Sequence, residues 1–379
     1  MALKVKATAL DATGVKQIVH PETESEQVTD FDTAVRRIVN NMDISGGGSG
    51  GSSRSFDRDY IMYASGQYQI TIPAGMTVKV GTIRYKTTVD TVLDITNTYT
   101  ANEVAGKDVY VYAVENSGDS SEASFLVTLN STVPSGYTAD NSRKIGGFHC
   151  ICSAAGTIAN HRLNDYPKGA ILPNSVWDLY FRPLADSEGM VFDERMGIWV
   201  DIYLASYNGS ELVSEYGGVI ADGASTPKFH WYKFVDYLAR VKKRLPWQHE
   251  FMSFSLGSNQ STNIAGSADP GTTGGHSDTA GRRMVSHLGC EDCSGVTWQW
   301  GLDTGSNSAS SWSKAYDSND DGDSLGQEYS KTNRCLLGGT WVDGAHCGSR
   351  GSAFHAAPLA LTAGYGARGV CTTKASGAE

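Results

Sequence analysis

The pattern in this chain that most resembles a ligand set is an acidic one. Asp317, Asn319, Asp321 and Gly322 are followed by Glu328 after a five-residue gap that contains Asp323. Oxygen donors at alternate positions suit a hard cation, and the glycine permits the sharp turn such a loop needs. The flanks lack a clear helical pattern, and Ser324 stands where an EF-hand carries an apolar residue. The spacing therefore predicts a Ca2+ loop of another kind, or else a solvated acidic loop. Cys150 and Cys152, with Cys290 and Cys293, could offer four thiolates to zinc, the alternative being free buried thiols. The nine histidines form no H-E-x-x-H cluster, and no nucleophile elbow, Walker loop or dinucleotide fingerprint stands out.

A formal charge of −10 speaks against a nucleic-acid partner held by bulk electrostatics. No apolar run approaches the roughly 18 residues that span a bilayer, so no membrane insertion is expected. The first residues carry no apolar secretion segment, and synthesis in a cytoplasm without a signal peptide is expected. In that compartment the seven cysteines would be reduced.

The elements that would position these groups fall into three parts. Residues 1–55 read as a small β-rich N-terminal domain for attachment or trimerisation. It has a helix at 31–42, where Ala34, Val35, Ile38 and Met42 recur at helical spacing, and it ends in a Gly/Ser linker. Residues 56–143 read as a β-sandwich, with strands at 68–72, 77–85, 91–100, 108–116 and 123–130 and a turn-rich hinge at 133–143. Residues 144–379 have another texture and hold all eight tryptophans. There 199–204 predicts a strand, 234–244 a helix and 247–256 a second helix opened by Pro246. Beyond Gly257 the chain is Gly/Ser-rich with few regular signals, which suits loops that carry function. Trp298, Trp300 and Trp341 are read as core fillers rather than sugar-stacking platforms. The fold class is thus α+β and β-rich.

Within residues 144–379 stand, in order, Lys144-Ile-Gly-Gly-Phe-His149, Ser175-Val-Trp-Asp-Leu-Tyr-Phe-Arg-Pro183, Gly189-Met190, Trp199-Val-Asp-Ile-Tyr-Leu204 and Ile220-Ala-Asp-Gly223. Lys243-Arg-Leu-Pro246, Glu250-Phe251, Gly295-Val-Thr-Trp-Gln-Trp-Gly301, Gly338-Gly-Thr-Trp341, Gly348-Ser-Arg350 and Gly366-Ala-Arg-Gly-Val-Cys371 follow. In these motifs the region resembles the C-type-lectin-type domain shared with formylglycine-generating enzymes. More narrowly it resembles the major tropism determinant family, the variable receptor-binding proteins of bacteriophages that carry a diversity-generating retroelement. Residues 1–143 match that family by layout.

The resemblance implies a homotrimer at the virion tail tip, joined to the tail fibre, that recognises a bacterial cell-surface receptor. It implies no required cofactor and no catalysis. It also implies a variable C-terminal stretch, in which adenines, chiefly in AAY codons, are randomised. Carried over along the frame of Trp341, Arg350, Pro358 and Arg368, the variable positions are Thr340, Val342, Asp343, Gly344, His346, Ala353, His355, Ala356, Ala360, Thr362, Gly364 and Tyr365. They would face solvent, with Tyr365 as the expected anchor. Varied AAY codons cannot encode Lys, Glu, Gln, Met or Trp, and none of these positions holds one. The enzyme alternative needs a reactive cysteine two residues after Trp341, where Asp343 stands, and only Cys347 lies nearby. A structural tail or baseplate protein without a receptor is the remaining alternative.

Overall fold

The computed structural model describes residues 7–10, 16–18, 61–116, 122–306, 312–316, 324–329 and 332–374. The chain divides into two units, residues 1–58 and 59–379. In the first, strand Ala7–Leu10 pairs antiparallel with Lys16–Ile18 across a bulge. The helix expected at 31–42 and the Gly/Ser linker lie outside the described residues.

The second unit opens with a sandwich. One layer orders strands Tyr63–Ala64, Gln69–Ile72 and Thr91–Asp94, beside the hairpin of Thr77–Val80 and Ile83–Lys86. The single strand expected at 77–85 is that hairpin, turned at Gly81, which takes the left-handed φ of 55° that glycine accepts readily. The strand expected at 91–100 stops at Asp94. Its carboxylate accepts a hydrogen bond from the Thr96 amide and so starts a 3-10 turn. The other layer orders Trp177–Asp178, Ser142–His149, Asp108–Val114 and Ser124–Thr128. Ile70, Ile72, Val78 and Val80 share one apolar cluster with Val109, Val111, Ala113 and Ile145.

Strand Asp108–Val114 has a second buried face. Side chains alternate across a strand, so Tyr110, Tyr112 and Val114 point away from the sandwich. They pack with Trp177, Phe192, Trp199 and Cys371 of the C-terminal half. Its neighbour Ser142–His149 runs through the expected division between 143 and 144 and is paired on both edges. The Gly146-Gly147 pair of the first motif serves close approach. A Cβ on Gly147 would lie 2.8 Å from the Val109 carbonyl oxygen and 3.0 Å from the Trp177 ring.

In the C-terminal half, strand Ile198–Asp201 lies between Met190–Asp193 and Val370–Thr372, so the end of the chain returns to the motif around Trp199. A second sheet orders Ser352–Ala356, Thr332–Leu337, Trp298–Ser306 and Tyr365–Gly366, the last pair parallel. This sheet stands where the Gly/Ser-rich composition predicts few regular elements. Helix Trp231–Arg240 buries Phe234 and Leu238, and it ends short of residue 244 because Lys242 takes a φ of 61°. Helix Gln248–Phe254 follows Pro246, its first turn closed by the Glu250 carboxylate, which accepts the Trp247 amide at 2.9 Å. Trp199 and Trp300 are wholly buried. All seven cysteines are buried and unpaired, and among the described residues no three His, Cys, Asp or Glu side chains converge as metal ligands. The four thiols considered for zinc therefore do not form a site.

Because one strand serves two cores, damage to the sandwich must reach the C-terminal half. Ile72→Ala removes a fully buried side chain and should cost about 2–4 kcal/mol. Seven of the eight tryptophans lie at or beyond Trp199 and only Trp177 belongs to the sandwich sheet, so intrinsic tryptophan fluorescence reads mainly the C-terminal half. Its melting midpoint is expected to fall together with that of circular dichroism. An unchanged fluorescence midpoint would show two independent folding units.

Candidate functional site

The stretch carrying the candidate variable residues begins at two closely packed glycines. Gly338 and Gly339 both take left-handed φ near 95°. A Cβ on Gly339 would press to 2.7 Å from the Cys347 sulfur. The Trp341 amide then donates to the Val296 carbonyl at 3.0 Å, its carbonyl accepts from the Asn263 side chain, and its ring packs beside Leu204, Ile220, Ile264 and Val296. The following turn is locked by Asp343, whose carboxylate accepts the Thr340 amide at 2.8 Å and hydroxyl at 2.7 Å. A short 3-10 turn, Gly344–His346, leads to buried Cys347. Burial, with the Asp343 charge nearby, pushes that thiol up to about 11.

Strand Ser352–Ala356 forms the sheet edge, with Ala353 opposite Leu336 and Ala356 opposite Arg334. The Arg334 guanidinium stacks 4.3 Å over the Trp231 ring. The return loop is tied at Thr362, whose carbonyl accepts the amides of Gly223 and Tyr365. Tyr365 meets Trp300 edge to face, with centroids 5.1 Å apart. Its hydroxyl pKa is raised by partial burial and by the Asp343 charge. The two ends of the stretch are thus neighbours.

Of the candidate positions, Val342, His346 and His355 are exposed, while Asp343, Gly344, Ala353, Ala360, Thr362 and Tyr365 are half-buried. Thr340, Ala356 and Gly364 are buried, which corrects the expectation that all of them face solvent. A Cβ on Gly364 would sit 3.2 Å from Thr340 Cγ2, so a side chain there requires Thr340 to shift. Sequence reasoning missed Phe354 and Leu361. Both are large, apolar and exposed, 38% and 44%, and they interleave with the candidate positions. Phe354 lies on the outer strand of the sheet. The signal in the sequence was its place between Ala353 and His355, which sends it to the other face of that strand. Of the Ca2+ loop, Asp317, Asn319, Asp321 and Asp323 lie outside the described residues. Glu328 falls in strand Ser324–Tyr329, opposite Ser313.

The frame also differs from expectation at one residue. Arg350 is exposed, whereas Arg368 is fully buried. Arg368 donates to the carbonyls of Asp201 at 2.7 Å and Ile202 at 2.5 Å, to that of Glu291, and to the Gln299 side chain at 3.1 Å. Replacing it with alanine would strand these acceptors, so Arg368→Ala should cost about 4 kcal/mol or more. Arg350→Ala should stay within about 0.5 kcal/mol. Denaturant melts of both variants check the ranking, and equal losses would refute it.

A second clamp supports Trp341 from below. The buried Asp278 carboxylate accepts from Asn259 at 2.8 Å, Thr262 at 2.9 Å and Arg282 at 2.6 Å. Desolvation pushes its pKa upward, but these bonds outweigh it and hold it near 2. A depressed carboxylate contributes stability that is complete above its unfolded value near 4 and is lost as pH falls toward 2. About 2 kcal/mol of stability should disappear across that window. Asp278→Asn should start lower and show correspondingly less acid sensitivity; the same pH slope in both proteins would contradict the assignment.

The family described as "Mtd second domain" matches residues 60–178. The tail fiber receptor-binding protein of Bordetella phage BPP-1 is 29% identical over 331 residues, covering 81% of this chain and 80% of that protein. The solved structure of the Major Tropism Determinant P3c variant is 30% identical, covers 83% of each chain and superposes with a TM-score of 0.68. The M1 variant superposes at 0.69 with 29% identity. Motif order, sheet arrangement and coverage agree with these proteins along most of the chain, which belongs to the major tropism determinant family.

Proposed function

We propose that this chain is the receptor-binding protein of a bacteriophage tail fibre, and that the face built from residues 340–365 contacts a bacterial cell-surface receptor. The observation that carries this reading is one of construction. Side chains that reach solvent sit on a backbone held at fixed points by Trp341, Asp343, the Thr362 carbonyl and Arg368. Substitution of an exposed residue on such a backbone changes the surface and leaves the scaffold. The sheet places Ser352–Ala356 and Tyr365–Gly366 on opposite edges, three strand spacings apart, so the patch extends over about 14 Å. On this reading the protein is a homotrimer at the tail tip, and its contacts are repeated across protomers. Modest affinity per face is then raised by multivalency.

The reading includes no catalysis. Asp343 spends its carboxylate on Thr340, and the raised pKa of Cys347 disfavours the thiolate that a nucleophile or copper ligand would need.

Two measurements test the proposal. His355→Ala and Val342→Asp should each change binding of the purified protein to host cells by tenfold or more, with melting shifted by no more than about 0.5 kcal/mol. Binding indifferent to both substitutions would favour a structural tail component. Diversification is read from DNA, where a near-copy of the segment encoding residues 338–371 should differ at adenines of the variable codons. Absence of such a copy would leave a fixed receptor-binding tip.

A further inference from the structure

A cleft of about 510 Å³ lies at the seam between the sandwich sheet and the segment 182–188, and it shares no residue with the proposed receptor face. The backbone of its outer wall is rigidly held. The Leu184 amide donates to the Thr372 carbonyl at 2.9 Å, the Lys374 amide donates to the Arg182 carbonyl at 2.9 Å, and Pro183 bridges Thr373. This pairing brings the cations Arg182 and Lys374 to one wall. Lys144 reaches the cleft from strand Ser142–His149, its ammonium 4.4 Å over the Tyr110 ring.

Two donors in the lining lack a protein acceptor. Trp177 is 94% buried and its indole N–H has no hydrogen-bond partner, and neither has the buried Nε–H of Arg182. Folded proteins rarely leave such groups unsatisfied. The cleft also holds acceptors. Glu188 takes a hydrogen bond from the Tyr110 hydroxyl, and Asp186 lies beside it in the lining. Burial, with Asp186 and Asp108 nearby, raises the Glu188 carboxyl above the usual range, whereas burial lowers the Lys144 ammonium.

A bare anion would use the cations and be repelled by the carboxylates. A neutral sugar would use the carboxylates, which accept hydroxyl protons, and leave the cations idle. A sugar that carries a carboxylate uses both sets. We propose that this cleft is a second ligand site and that it takes an acidic saccharide of the uronic-acid class. The carboxylate would lie against Arg182 and Lys374, and ring hydroxyls against Asp186 and Glu188. The site would be independent of the variable face and unchanged by its diversification.

The test is titration of the full-length protein with sodium glucuronate, glucose and sodium sulfate, followed by calorimetry and by saturation-transfer NMR of the sugar. Saturable glucuronate binding is expected, with glucose at least tenfold weaker and sulfate unable to displace the sugar at equal concentration. Arg182→Ala should weaken glucuronate at least tenfold. Lys374→Ala, at a half-buried position near the end of the chain, should do likewise if the first variant fails to fold. His355→Ala should bind the sugar normally. No saturation up to about 20 mM glucuronate, equal affinity for glucose, full displacement by sulfate, or undiminished binding by folded Lys374→Ala would each overturn the proposal.

Discussion

The guanidinium of Arg368 holds together parts of the chain that nothing else joins so directly. It reaches the carbonyls of Asp201 and Ile202 at the end of one strand, that of Glu291 in a loop, and the side chain of Gln299 in the central strand of the other sheet. Gln299 passes the connection on, donating to the carbonyls of Asp292 and Cys293. A buried cation is costly unless its donors are satisfied and a counter-charge is near. Asp201 supplies that charge, accepting the Gly369 amide at 3.0 Å and the Lys243 ammonium at 2.6 Å. Lysine at 368 could not replace this set, because a single ammonium lacks the planar fork that addresses separated acceptors.

The position of this clamp sets what the preceding stretch can do. Residues 338–365 leave the core at a pair of glycines with positive φ and return to it at Tyr365, shortly before Arg368. Between those points the chain is held mainly by backbone bonds, which do not depend on side-chain identity, and by a few contacts that do. Thr340 and Gly364 are such a contact, and so is Thr340 with Asp343. If these positions vary, a larger residue at 364 presses on Thr340, which must give way slightly to admit it. The exposed positions Val342, His346 and His355 are less closely packed. On the proposed reading, burial therefore separates coupled from uncoupled candidate positions where residue type does not.

Much of this was legible beforehand. Turn residues and period-two alternation marked most sandwich strands to within a few residues, because half-buried strands in a small sheet obey local rules. The motif order marked the C-terminal fold. What failed were inferences from residue type. Arg350 and Arg368 both stand next to glycines in a Gly-rich tail, yet one is exposed and the other wholly buried. The difference lies in local geometry: Arg350 sits inside the turn closed by the Gly351 amide on the Gly348 carbonyl, whereas Arg368 lies on the stretch leading into the strand Val370–Thr372. The hairpin within 77–85 was hidden because one glycine in a strand-like run reads as a weak interruption. The division near residue 143 looked natural because the tryptophan content changes there, but composition does not report hydrogen bonding, and the sheet continues through it.

That continuity bears on how the face works. Strand Asp108–Val114 gives one row of side chains to each core, and Ser142–His149 ties it to the motif around Trp177. The sandwich and the C-terminal half are thus joined through the packed side chains of one shared strand. Rigidity of this kind lowers the entropy lost on binding, which matters for a patch with few large contact groups. The exposed Leu361 adds apolar area between the candidate positions Ala360 and Thr362 and is not itself one of them. On the proposed reading it would contribute a constant increment of binding, and the neighbouring substitutions would decide which receptor benefits from it.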